Sequence, residues 1–325
     1  MRLAGSSELV GALPRLLGFH PHNSLVVVCL HGPRCRIGLV MRFDLVGADG
    51  AGLLAQAVAD RVGVEDPSAV AIAVFGQGSP DGPALPHVEL VDALTTVGMP
   101  RVLDALLVVG DRWWSYHCVG DGCCGPDGNP VDLRSPGTTA VAAACALAGQ
   151  GVLADRAGVA ASIALSTSAA AELSERIAAV RARGRAGPSD SERLTIAPLA
   201  ERMARIGDDP RCTLAPVDVA ELAGRCHSIV TRDQLLLVAQ ESDSRDRLLR
   251  LMVEVVRQVP PPHDAPVCTV LAWLAYAAGD GVLAGAALDR ALGTDPGYSL
   301  AQLLARALDQ QVHPAVLDEI VRMCG

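Results

Sequence analysis

His117, Cys118, Cys123 and Cys124 crowd into one short stretch, flanked by Arg112, Trp113, Trp114, Ser115 and Tyr116 before it and by Gly125 and Pro126 after it. Three chemistries use such a set. A tetrahedral zinc site takes four nitrogen and sulfur ligands. Strong zinc signals are paired C-x-x-C knuckles, however, whereas neighbours at 117/118 and 123/124 diverge along an extended chain. A reversible disulfide would join Cys118 to Cys123 or Cys124 across the glycine-rich loop. The third reading, preferred here, packs the thiols as small buried side chains under the two tryptophans.

A second group of polar residues falls at strand ends. His20, His22 and Ser24 stand at the mouth of the first apolar run, and Arg42 and Asp44 close the second. Asp111 and Arg112 follow the fourth. Carboxylates and guanidinia gathered on one sheet edge could form a hydrolytic or redox site, because open α/β sheets bind ligands beyond their strand ends. Structural ion pairs are the plainer reading of the same residues. Pro21 keeps the two imidazoles off a common strand face, so His20 and His22 read as a polar turn. The segment Gly76, Gln77, Gly78, Ser79, Pro80, Asp81, Gly82 superficially matches a dinucleotide loop. Its third glycine comes one residue late, and the segment reads as a plain connection.

The elements that must position these groups follow from periodicity. Ser7 is placed to cap a short helix that Pro14 kinks and Gly18 ends in the left-handed conformation. Residues 24–30 (SLVVVCL) and 35–45 form two strands that pair antiparallel. Asp49 caps a helix to about Val62, with Leu54, Ala57, Val58 and Val62 on one face. A buried strand spans 69–75, and Pro86 opens a helix with the stripe Leu90, Val91, Leu94 and Val97, ended by Gly98. Another strand covers 101–109. Two crossovers predict a mixed sheet with a parallel centre and an antiparallel hairpin.

After Pro130 the strand signal stops and alanine-rich helices are expected over 138–148, 168–183 and 191–206, with linkers at 183–191, 207–216 and 259–266. Thr231 and Gln234 are spaced as a capping box for a helix through 235–240. In the tail, Leu271, Ala272, Ala275, Ala284, Leu288, Ala291 and Pro296 fall at spacings similar to a tetratricopeptide hairpin, and 299–308 is the next helix. The expected organisation is an α/β domain with a cysteine-rich loop at 1–136, a helical region at 137–262 and a tetratricopeptide-like tail at 263–325.

Composition narrows the function. The net charge is −9, from 27 basic and 36 acidic residues, and no arginine-dense face suits a phosphate backbone, so nucleic acid is not an expected partner. The chain has no lysine. That removes Walker A, kinase and Schiff-base chemistry, each of which needs an amine. Neither a signal peptide nor a membrane span is read, which predicts a cytoplasmic protein with reduced thiols. No G-x-S-x-G, H-E-x-x-H or EF-hand spacing occurs. The balance favours a protein-binding, assembly or regulatory module that meets another protein through residues 264–325, over an enzyme with its site near Asp44, Asp111 and the cysteines.

The segment Leu16-Leu17-Gly18-Phe19-His20-Pro21-His22-Asn23-Ser24-Leu25-Val26-Val27 carries a family resemblance. So do Arg42-Phe43-Asp44-Leu45, Arg112-Trp113-Trp114-Ser115-Tyr116, Cys123-Cys124, Gly279-Asp280-Gly281 and Pro296-Gly297-Tyr298-Ser299-Leu300. Together they resemble an uncharacterised actinobacterial family, number 4192 in the domain-of-unknown-function series. The resemblance runs along nearly the whole chain. It implies a cytosolic protein and brings no catalytic residue, substrate or cofactor with it.

Overall fold

The computed structural model describes residues 5–77, 84–118, 124–147, 151–166, 170–185, 214–240, 242–310 and 312–324. The chain divides into two compact units, Met1–Arg156 and Ala157–Gly325. The first is built on a mixed sheet of strands β1 (Ser24–His31), β2 (Arg36–Asp44), β3 (Ala69–Phe75), β4 (Val102–Val109), β5 (Arg112–Ser115) and β6 (Asn129–Pro130), in the order β2-β1-β3-β4-β5-β6. Among the described strands only β3 and β4 pair in parallel; β1 runs antiparallel to both β2 and β3.

β1 and β3 are buried nearly end to end because helices cover both faces, which is why their sequences are continuous valine-rich runs and not alternating ones. On one face Val26, Val28, Ala71, Ala73, Leu106 and Val108 pack on Leu9, Val10 and Leu13 of α1 (Ser6–Leu17). On the other, Leu25, Val27, Ile72, Val74 and Leu107 meet α2 (Ala51–Glu65) and α3 (Val88–Thr96). Each fully buried Leu or Ile contributes roughly 1.5–3 kcal/mol.

Several local expectations change. Gly18 does take the left-handed conformation at the end of α1, at φ 76°. Ser7, by contrast, lies inside the helix, which Gly5 precedes without a side-chain cap. The Ser7 hydroxyl instead donates to Pro130 O at 3.2 Å and accepts the Asp132 N–H at 2.8 Å, tying α1 to the chain beyond β6. Asp49 sits in a short 3-10 turn (Ala48–Gly50), and α2 starts after it; Ala55, not Ala57, faces the core. α3 starts at Val88, not Pro86, behind His87 at φ 60°. The segment after Val109 is a strand as well. Val109 pairs with Arg112, so Gly110 and Asp111 form a two-residue hairpin loop and β5 returns along β4. α4 (Pro136–Leu147) packs on α1, which carries the first unit past residue 136 to Arg156.

The second unit contains α5 (Arg156–Ser162, begun at the unit boundary), α6 (Ala170–Arg185), α7 (Pro216–Arg225), α8 (Ile229–Val238), α9 (Ser242–Val256), α10 (Asp264–Ala277), α11 (Gly281–Thr294), α12 (Ser299–Asp309) and α13 (Pro314–Cys324). Thr231 lies within α8 behind Ser228, so the expected capping box is not a helix start. The expected helix at 191–206 and most of the linkers at 183–191 and 207–216 fall outside the described residues. α10 and α11 form the hairpin read from the tail, with Leu271, Ala272, Ala275, Ala284, Leu288 and Ala291 all buried. Asp280 caps α11 by accepting the Leu283 N–H at 2.9 Å. α10 is buried from Asp264 through Tyr276, packed against α7, α8, α9, α11, α12 and α13. One apolar core runs from Ile163 to Leu317. Among the described residues, no strand follows β6 and no helix is long and apolar enough to cross a membrane.

Candidate functional site

The sheet sorts the candidate residues into two places. Because β1 starts where β2, β3 and β4 end, Ser24, Asp44, Phe75 and Val109 lie at one rim. There Ser24, wholly buried, donates its hydroxyl to His22 O at 2.7 Å and accepts from Arg42 Nε at 2.8 Å. Arg42 also pairs with Asp44 at 2.5 Å. His20 and His22 have exposed side chains, and the His20 N–H donates to Leu153 O at 3.0 Å. His87, beside Gly76 at the same rim, was not singled out by sequence; only its left-handed backbone marks it. Asp111 and Arg112 share the rim, but β5 is four strands from β2 in the sheet order, or about 19 Å at about 4.8 Å per strand. Arg42 and Asp44 therefore do not converge with them.

Cys118 and Cys124 lie away from that rim, at the far end of β5. β5 runs back along β4 until Ser115 stands opposite Leu106, and the Tyr116 N–H donates to Ala105 O at 2.8 Å. Ser115 is the hub of the loop's hydrogen bonds. Its N–H donates to Cys124 Sγ at 3.3 Å, and its carbonyl accepts the Cys118 N–H at 3.3 Å. Its hydroxyl donates to Asp104 Oδ1 at 3.3 Å and accepts the His117 N–H at 3.2 Å. Ser6 donates to the other oxygen of Asp104. Asn129 Nδ2 adds a second donor to Cys124 Sγ, at 3.3 Å.

Cys118 is disulfide-bonded, and Cys124 is a free thiol. Cys124 is thus not the partner of Cys118, and Cys123 lies outside the described residues. A sulfur held in a disulfide is not a thiolate ligand, so the set His117, Cys118, Cys123 and Cys124 does not fit zinc in this state. Among the described residues, no three His, Cys, Asp or Glu side chains gather as a metal site.

Residues 124–130 fold over Trp114, which is 8% exposed and donates its indole N–H to Pro126 O at 3.3 Å. Gly128, at φ 66°, lies against the indole so closely that any side chain there would overlap the ring. Tyr116 donates to Pro86 O at 2.5 Å, and burial first, then Glu89, pushes its hydroxyl well above the usual phenol range. Asp104 and Asn129 were missed by sequence reasoning, and Ser115 was read only as a flank of the cysteines. The signal for Asp104 was an acid inside the apolar run 101–109.

The remaining thiols differ sharply. Burial pushes Cys226 and Cys268 up to about 12, Arg232 and Arg290 respectively offsetting part of it, and burial with Glu65 pushes Cys29 up to about 11. Thiolate is the reactive form. Iodoacetamide applied to the native protein at mildly alkaline pH is therefore expected to label Cys35, exposed in the β1–β2 turn, well before these three. Mass spectrometry showing Cys226 or Cys268 alkylated first would contradict the packing described.

The fold and the site together define a two-unit protein, in which an α/β sheet unit with a cysteine loop precedes a helical unit. A family model described as a domain of unknown function (DUF4192) matches residues 7–315, and the chain belongs to that family. No curated protein and no solved structure matches it.

Proposed function

We propose that the chain is a cytoplasmic regulatory module that binds another protein and takes the thiol state of its cysteine loop as input. The observation that carries this reading is the hub at Ser115, where a disulfide cysteine and a free thiol are tied to the same residue. In a cytoplasm, disulfides are usually transient and redox-sensing. A dithiol reductant supplies the two electrons and two protons that return Cys118 and its partner to thiols. Releasing that bond frees Cys118 beside the hub, and Trp114 is the side chain that residues 124–130 enclose.

The partner contact stays with the helical tail, where Leu303 of α12 is 59% exposed and Val316 of α13 is 44% exposed. A hydrolytic site built on Ser24 is disfavoured because its hydroxyl proton is committed to a main-chain carbonyl and its neighbour is a guanidinium, which is not a base.

The test is a redox titration of the full chain against a thiol buffer, with Trp113 and Trp273 replaced by phenylalanine so that Trp114 emission reports alone, and with mass mapping of Cys118. The expected midpoint lies above about −300 mV, the range of labile and regulatory disulfides. Helix content should hold while Trp114 emission changes. A midpoint below that value, or reduction that leaves Trp114 emission unchanged, makes the bond a structural staple and ends the proposal.

A further inference from the structure

β2 is an edge strand, and among the described residues it pairs with β1 alone. Its outward hydrogen-bonding groups can be identified. The Leu45 N–H donates to Asn23 O at 3.1 Å, and Phe43 and Met41 stand opposite Leu25 and Val27. With the period-two alternation of an antiparallel ladder, Met41, Phe43 and Leu45 turn their backbone groups to β1. Val40, Arg42 and Asp44 then present theirs outward. An open row of this kind is a template for another strand.

We infer that this edge pairs antiparallel with the same edge of a second copy of the chain, centred on Phe43. Charge selects both the occupant and the register. About Phe43 as a two-fold centre, Arg42 stands opposite Asp44 of the second copy, and the symmetry repeats the pair. A parallel pairing would set arginine against arginine and acid against acid. Centring on Arg42 would do the same to the arginines. Opposite charges placed directly across strands are favourable and like charges unfavourable, so the strand is its own complement in one register.

The geometry agrees in three further respects. Arg42 and Asp44, facing outward, are the residues that a centre at Phe43 makes exchange backbone hydrogen bonds. Asp44 is 72% exposed on its side chain, so its carboxylate has room for a second guanidinium. The register irregularity between the Val28 and Leu30 pairs bends β2 near Gly38 and leaves Val40 to Asp44 regular. A short contact centred near the strand's end fits that division, and it sets the half-buried Phe43 against its own copy beside Met41.

Analytical ultracentrifugation across a dilution series of the full chain, with amide exchange measured at each concentration, tests this. The chain should sediment as a monomer–dimer equilibrium. Val40, Arg42 and Asp44 amides should become protected as concentration rises, while Met41 and Phe43 stay protected throughout. Asp44→Arg should weaken dimerisation by about tenfold. Val40→Pro, which removes an outward N–H and spares the β1 ladder, should also weaken it with the circular dichroism spectrum unchanged. A monomer at every concentration overturns the inference. So does a dimer that both variants leave intact, or exchange that is indifferent to concentration at residues 40, 42 and 44. If either variant unfolds, the exchange pattern of the unmodified chain decides alone.

Discussion

Replacing Arg290 by alanine is expected to lower the stability of the helical unit by about 3–5 kcal/mol, the cost of leaving a buried charge without its counter-charge. Asp264 has a side chain only 1% exposed, and Arg290 Nε donates to its Oδ2 at 3.0 Å. The same guanidinium donates to Val259 O at 2.8 Å and to Ile163 O. One side chain on α11 thus holds the start of α10, the connection before it and the end of α5. Without it, a buried carboxylate loses its partner and two carbonyls lose a donor. Among the described residues Asp264 Oδ1 has no hydrogen-bond partner, so Arg290 alone supplies a donor to this carboxylate there. Urea unfolding followed by far-ultraviolet circular dichroism measures the loss. A double variant, Arg290→Met with Asp264→Leu, should recover the share due to the unpaired carboxylate, since apolar side chains of similar size replace a buried pair at little cost, while the two carbonyls stay without their donor. A loss under about 1 kcal/mol for Arg290→Ala would place the pair with exposed salt bridges and contradict its burial.

Deleting residues 264–325 should abolish cooperative folding of the helical unit, not expose a neatly detached module. α10 contributes Val267, Val270, Leu271, Trp273 and Leu274 to the core, each 0–1% exposed. At roughly 1.5–3 kcal/mol per side chain, these five alone reach the 5–15 kcal/mol that typically separates a folded domain from its unfolded chain. Limited proteolysis and hydrogen exchange on the truncated chain should show 157–263 unprotected and the sheet unit protected. Retained protection of α7–α9 would mean that α10 is peripheral. Truncation is consequently a poor way to look for a binding partner, and single substitutions at Leu303 or Val316 are the better probe.

The sheet was legible in the sequence because its signals are local. Apolar runs at 24–30, 69–75 and 101–109, with amphipathic helices between them, leave few topologies open. The hairpin at the tail was legible for the same reason, its buried positions recurring at helical spacing. β5 was not. Arg112 to Ser115 carries two tryptophans, which favour strands, but the cysteines and histidine beyond drew the whole stretch into a loop. That one omission misplaced the cysteine loop, because without β5 the chain does not double back from the rim. The separation of Arg42 and Asp44 from Asp111 and Arg112 was likewise out of reach. It depends on β1, β3 and β4 lying between β2 and β5, and strand order is set by long-range packing that no local pattern encodes. Asp104 and Asn129 needed the fold before their partners could be named.

The turn at Gly110 and Asp111 also governs how the rim and the thiols can influence each other. β5 is the strand that touches both, its first residue at the rim and its last at the hub. A strand cannot slide along its neighbour by a single residue without sending every side chain to the opposite face, so buried Trp114 would be expelled. A change of register in β5 that keeps Trp114 buried would therefore have to come in steps of two residues.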